Sequence, residues 1–235
     1  MNPLYRQLVK AKKNQQKLLA ILIDPDKIDP ENIKNTIKKI KKIKPDWLLI
    51  GGSLISVKHL NKSVKKFRKH LDIPVVIFPG NPLQISYKAD GILFLSLISG
   101  RNPEYLIGNQ VIAAPLLHRS DLDIISTGYI LIGDEHTTSV SYISNTLPVP
   151  SAKTDIALAT ALAGEMLGLQ SIYLEAGSGA KQTVPLKTVR TISREINIPL
   201  IVGGGIKSQK EILQMWNAGA DMVVVGTAFE NGTLK

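Results

Sequence analysis

The 235-residue chain contains no cysteine, which excludes disulfides, thiolate nucleophiles and cysteine-ligated metals. Long hydrophobic runs are missing as well. The longest hold about seven residues, far short of the ~20 that a membrane-spanning helix needs. Aromatic residues make up only 5%, and no cluster of them accompanies the lysines, so a base-stacking nucleic-acid surface is not expected. Met1 is not followed by an apolar stretch and a small-residue cleavage site, so the expectation is a cytoplasmic protein without a secretory signal.

Acidic residues are scarce in the first third. Residues 1–72 carry 18 Lys+Arg against 6 Asp+Glu, a net of +12, while the remainder carries 11 against 13, a net of −2. The lysines interleave with Ile33, Ile37, Ile40, Ile43, Leu60, Val64, Phe67 and Leu71 at three- and four-residue spacing, the pattern of two amphipathic helices with wet basic faces. The plain reading is a solvated surface; the functional one is attraction to an anionic membrane surface, ahead of nucleic acid.

Eight short apolar runs alternate with helical patterns. The strand candidates are Leu18–Asp24, Trp47–Gly51, Val75–Phe78, Gly91–Leu97, Ile124–Ile132, Ser171–Glu175, Leu200–Val202 and Met222–Val225. Helices are expected from Pro30, capped by Asp29, to Ile43, and over residues 56–71, 102–113, 154–167, 184–196 and 208–217. Nearly all the strands are apolar without alternation, as strands covered on both faces are. Regular interleaving implies right-handed βαβ units and a parallel sheet. The class is therefore α/β, a (β/α)8 TIM barrel forming one domain over residues 1–235, with an open doubly wound sheet as the competing layout. Glycine-bearing ends on the last two strands, Gly203-Gly204-Gly205 and Gly226-Thr227, favour the barrel, which commonly builds a phosphate site there.

In a barrel the residues just after each strand are the ones that react. Asp24 and Ser53 follow the first two strands and offer oxygen ligands for a Mg2+ that bridges substrate phosphates, although Asp-Pro and Gly-Gly-Ser are also ordinary turn signals. Tyr173 and Glu175, two apart on the sixth strand, project to one side. The glycines and Ser178 behind them leave room for backbone N–H groups to face an anion. His59, His70, His118 and His136 lack the spacing of a metal set. Lys27, Arg101 and Lys181 are weaker candidates for phosphate contacts.

The strings LLAILIDPDK, LIGGS, VVIFPGNPLQIS, RNPEYLIGNQ, STGYILI, YLEAGSGA, IVGGGIKS and ADMVVVGTAFENG, in this order from residue 18 to 232, closely resemble geranylgeranylglyceryl phosphate synthases and the related heptaprenylglyceryl phosphate synthases. The resemblance implies a (β/α)8 prenyltransferase that joins sn-glycerol 1-phosphate to a prenyl diphosphate as an ether, with Mg2+, in a homo-oligomer. It implies that Asp24 and Ser53 hold the metal. It further implies that Tyr173 and Glu175 bind the glycerol hydroxyls, Glu175 being the candidate base, within the segment Leu174, Ala176, Gly177, Ser178 and Gly179. Gly204, Gly205, Gly226 and Thr227 would cradle the phosphate. Leu22 stands where heptaprenyl relatives carry lysine, so geranylgeranyl diphosphate is the expected donor and the heptaprenyl donor the alternative. The tail after Phe229 is short, so the eighth helix is expected to be short or missing. Residues 91–98 and 102–107 are expected to form the apolar prenyl groove, with Tyr105 limiting chain length. The rival reading is a phosphate-binding isomerase or aldolase, although no strand candidate holds the lysine that a Schiff-base aldolase needs.

Overall fold

A computed structural model describes residues 2–28, 33–52, 57–134 and 138–234. The strands are β1 (Leu18–Ile23), β2 (Trp47–Gly52), β3 (Val75–Pro79), β4 (Gly91–Leu97), β5 (Asp123–Leu131), β6 (Ser171–Glu175), β7 (Leu200–Gly203) and β8 (Met222–Val225). They pair in parallel in sequence order, and β8 closes on β1. The expected barrel is thus the observed one, and the open sheet is not.

Alternate residues split between two cores. Ala20, Leu49, Val76, Leu93, Tyr173, Ile201 and Val224 fill the barrel interior, while Ile21, Ile50, Ile77, Ile172, Val202 and Val223 face the surrounding helices. Both faces are covered, which is why these strands show no polar alternation in sequence. Inside, Thr127 and Ser171 satisfy each other through a 2.9 Å hydroxyl contact, as buried polar groups must.

The surrounding helices are α2 (Ile33–Ile43), α3 (Val57–His70), α4 (Asn109–His118), α6 (Thr154–Met166), α7 (Leu186–Glu195) and α8 (Gln209–Ala218). The Asp29 cap and the Pro30 start expected for α2 lie outside the described residues. The helix expected over 102–113 is a π-helical turn over Glu104–Gly108 followed by α4, which runs through Pro115 to His118. Among the described residues β8 is followed by a four-residue helix, α9 (Thr227–Glu230), the short eighth helix that was expected.

Two helices were not foreseen. One is α5 (Ser139–Ser144), between β5 and α6. The other is α1 (Pro3–Lys13), whose buried Leu4, Leu8 and Ala11 pack into the interior core. This helix closes the floor of the barrel: Asp123 Oδ2, at the start of β5, accepts the Leu4 N–H at 2.8 Å, and Trp47 Nε1 donates to Gln7 at 2.7 Å.

The regular alternation of strands and helices breaks once. Residues 80–90 connect β3 to β4 without a helix. Those two strands share only Val76↔Gly91 and Ile77↔Ile92, whereas β4 and β5 share seven pairs. The upper half of β4 therefore has an open edge toward β3. The connecting loop is held by Gln84, whose side chain accepts the Gly80 N–H at 2.7 Å and donates to Gly52 O at 3.1 Å.

Candidate active site

The C-terminal ends of the strands surround a cavity of about 510 Å³. Asp24, Tyr173, Glu175, Ser178, Gly179, Gly204, Gly205, Gly226 and Thr227 all line it, so residues spread over 200 positions of sequence meet at one rim. Ser53 lies outside the described residues, as does His136. Gly177 contributes its backbone N–H rather than a surface. The side chains of Leu174 and Ala176 pack among the outer apolar cluster, so that segment presents Tyr173 and Glu175 and hides the residues between and after them. This is the two-residue period of a strand at work.

Glu175 is 6% exposed. Its Oε1 accepts the Gly177 N–H at 2.7 Å. Burial pushes its carboxyl up to about 7, against the smaller opposing effects of that N–H and the neighbouring Tyr173 hydroxyl. Burial, and then the negative charge of Glu175, hold the Tyr173 and Tyr129 phenols well above their usual range, so both remain neutral donors. The Tyr173 hydroxyl is wholly buried with no aligned hydrogen-bond partner among the described residues. The same hydroxyl faces the Glu175 carboxylate, an interaction that helps to raise the phenol.

The tight space around this pair is set by glycine. A Cβ on Gly203 would lie 2.2 Å from the Tyr173 hydroxyl, and one on Gly204 would lie 2.2 Å from Glu175 Oε1 and 2.6 Å from the Ala176 nitrogen. Gly204 and Gly205 also adopt φ of +83° and +69°, the left-handed region that glycine enters without steric cost.

Sequence reasoning did not single out the aromatic wall. Tyr129 stacks on Tyr173 with centroids 5.3 Å apart, and Phe78 lies 5.4 Å from Tyr173 and 6.1 Å from Tyr129. The available signal was parity: Tyr129 is two residues beyond Thr127 on β5 and shares its inward face.

From this wall the cavity runs out through the gap between β3 and β4. Pro82, Ile85, Ile92, Phe94, Ala113 and Leu117 line that extension, with Tyr105 at its side. Of the residues expected to form an apolar channel, Ile92, Phe94, Leu95, Leu97 and Tyr105 line the cavity, which also takes in residues of α4 and of the helix-free 80–90 loop.

Asp24 lines the cavity just beyond β1. Its Oδ1 accepts the Asp26 N–H at 3.0 Å, and its Oδ2 lies 3.6 Å from Lys27 Nζ. No group of three or more acidic or histidine side chains that could hold a metal occurs among the described residues. Of the basic residues named from sequence, Lys27 lines the cavity and Arg101 and Lys181 do not; Lys207, which sequence reasoning did not name, also lines it. His59 pairs with Asp26 at 2.7 Å, and His70 contacts Lys66 O at 2.9 Å.

Known proteins resemble this chain in sequence and in fold. The geranylgeranylglyceryl phosphate synthase of Flavobacterium johnsoniae is 52% identical over 98% of this chain and 95% of its own length. The synthase of that name from Chitinophaga pinensis is 46% identical over 99% and 92%. The crystal structure of (S)-3-O-geranylgeranylglyceryl phosphate synthase from Thermoplasma acidophilum, in complex with sn-glycerol-1-phosphate, superposes with a TM-score of 0.91 at 33% identity, covering 98% of this chain and 92% of that one. With the PcrB family matching residues 11–234 as well, the chain belongs to the PcrB family, alongside these geranylgeranylglyceryl phosphate synthases.

Proposed function

We propose that the protein transfers a geranylgeranyl group from its diphosphate to a free hydroxyl of sn-glycerol 1-phosphate. The observation that carries this reading is the continuity of one cavity. It joins a buried carboxylate and a phenol, a glycine-rich rim and an apolar channel, which suits two substrates of opposite character.

In the reaction the hydroxyl oxygen bonds to the first prenyl carbon, the bond from that carbon to the diphosphate oxygen breaks, and the hydroxyl proton passes to Glu175. An ionised Glu175 is the base, and such assistance contributes about 10²- to 10⁴-fold. Tyr173 orients the glycerol from beside Glu175. Gly204, Gly205, Gly226 and Thr227 leave space at the rim for the phosphate. Phe78 and Tyr129 line the cavity beside Tyr173, and aromatic rings attract the positive charge that grows on the allylic carbons.

Mg2+ is the metal that this chemistry calls for. It completes its shell with water and substrate phosphate oxygens, so one or two protein carboxylates suffice. Asp24, lining the cavity with its side chain 20% exposed, fits that need and would hold the ion, joined by Ser53 in the reading from resemblance. When bound, the metal would stabilise negative charge on the departing diphosphate.

The apolar channel receives the chain. Burial is worth about 0.8 kcal/mol per CH₂, so chain length and channel length are matched. Incubation with sn-glycerol 1-phosphate, Mg2+ and prenyl diphosphates of several lengths should give the geranylgeranyl ether by mass, with EDTA abolishing it. Absence of any ether product overturns the reading; a heptaprenyl product preferred over geranylgeranyl corrects the donor. In the same assay Ala113→Phe, which fills the channel beneath α4, should shift preference at least tenfold toward shorter donors, and unchanged preference would show that the chain lies elsewhere.

A lipid substrate also gives the basic α2 and α3 faces a task. They would hold the barrel against anionic lipid at about 1 kcal/mol per contacting residue. Co-sedimentation with phosphatidylglycerol vesicles should exceed that with phosphatidylcholine and fall as salt is added; binding indifferent to both would remove this role.

A further inference from the structure

Asp24 is tied to the far end of the chain. Its backbone N–H donates to Glu230 Oε1 at 2.8 Å. The other carboxylate oxygen of Glu230 lies 3.3 Å from Lys27 Nζ, which itself lies 3.6 Å from Asp24 Oδ2. Asp24, Lys27 and Glu230 all line the cavity, so two carboxylates face the region that a diphosphate must enter. Among the described residues Lys27 is the cation in ion-pair contact with either. The two acidic side chains are 20% and 15% exposed, whereas Lys27 is 55% exposed and sits on a three-residue 3₁₀ turn, Pro25–Lys27. The carboxylates are therefore held and the ammonium is free to move.

Charge decides what this arrangement can do. Two carboxylates and one ammonium leave a net negative site, which repels a polyanion unless a cation takes Asp24 and the ammonium turns outward. We infer that Lys27 is a diphosphate-binding residue held in reserve by Glu230, which also positions Asp24 through its backbone N–H. Glu230 ends α9, the helix that begins at Thr227 on the phosphate rim, so this one short helix links the rim to the Asp24 side of the cavity. Lys207, the other cavity-lining cation named above, stands after β7, two strands from Lys27 in the closed barrel, and its Nζ donates to Lys181 O at 3.2 Å, so it has a partner of its own. An ordinary exposed ion pair would contribute little to stability and nothing to ligand affinity.

The inference rests on the prenyl-transfer reading, and binding measurements separate the two. By titration calorimetry with inorganic diphosphate and Mg2+, Lys27→Met should weaken binding about tenfold or more, the loss of one charge-assisted contact. It should leave sn-glycerol 1-phosphate binding unchanged, which also shows that the variant is folded. Glu230→Gln keeps an acceptor for the Asp24 N–H but removes the competing charge, so it should tighten diphosphate binding several-fold. It should have no such effect in the Lys27→Met background, where there is no ammonium to release. Wild-type protein that fails to bind magnesium diphosphate overturns the prenyl-transfer reading and this inference with it. Normal wild-type binding with Lys27→Met within twofold of it, or Glu230→Gln tightening that persists without Lys27, overturns this inference alone.

Discussion

Glu175→Gln should lower turnover by about 10²- to 10⁴-fold while both substrates still bind, because the amide keeps the size and the acceptor for the Gly177 N–H but cannot take a proton. Single-turnover kinetics and calorimetry on the same variant check the two halves of this expectation. Undiminished turnover would remove Glu175 as the base. The pH profile of the wild type follows from its carboxyl at about 7. The base must be ionised, so kcat/KM should rise about tenfold per pH unit below 7 and level off above it; a carboxylate at its ordinary 4.5 would instead give a flat profile from pH 5.5 upward.

The same substitution should change stability with the opposite sign. The carboxyl ionises near 4.5 when unfolded and near 7 when folded, so the native state binds the extra proton. Its stabilising influence is complete below pH 4.5 and is lost as the pH rises through 7. A difference of this size corresponds to about 3 kcal/mol. Glu175→Gln escapes that loss, so its Tm at pH 8 should exceed the wild type's by several degrees, and the gain should vanish by pH 4.5. A site that is costly to fold and needed for reaction is the usual form of the stability–activity conflict.

Gly204→Ala should be nearly as damaging, for steric reasons. The new methyl would sit 2.2 Å from Glu175 Oε1, 2.6 Å from the Ala176 nitrogen and 2.8 Å from the Gly177 nitrogen. Glu175 could swing aside, but two backbone atoms at the end of β6 cannot. The φ of +83° adds about 1–2 kcal/mol for a residue with a Cβ. A shift of about 1 Å at a catalytic group can cost 10²-fold in rate, so turnover should fall at least that far, with a Tm several degrees lower. Gly226→Ala supplies the contrast: its φ is −112° and the nearest atoms to a Cβ are at 3.7 Å, so Tm should hold. Equal stability of wild type and Gly204→Ala would contradict the packing described for the β6–β7 rim.

Much of this site was legible in the sequence because a parallel barrel delivers its strand ends to one rim whatever the chain between them does. Reading Asp24, Tyr173, Glu175 and the three glycine-bearing ends therefore required only the strand boundaries. The residues that reading overlooked depend on distance in space. Glu230 follows Asp24 by 206 positions and meets it only because β8 closes on β1. Tyr129 and Phe78 look like strand residues until their rings meet Tyr173. Helix α1 was overlooked because Leu4, Leu8 and Ala11 are sparse among lysines, and its purpose, covering the floor, exists only once there is a floor. Leu174 and Ala176 were included with their neighbours although the strand period turns them outward.

The sequence by itself determined the eight-stranded class and the parity that aims Tyr173 and Glu175 inward, because these follow from local pattern. Tertiary structure decided the rest: the missing helix between β3 and β4 that opens the apolar channel, the aromatic wall, the burial that lifts Glu175 to about 7, and the pairing of Lys27 with Glu230. Each of these depends on what packs beside a residue, and a neighbour across a closed barrel has no fixed spacing along the chain.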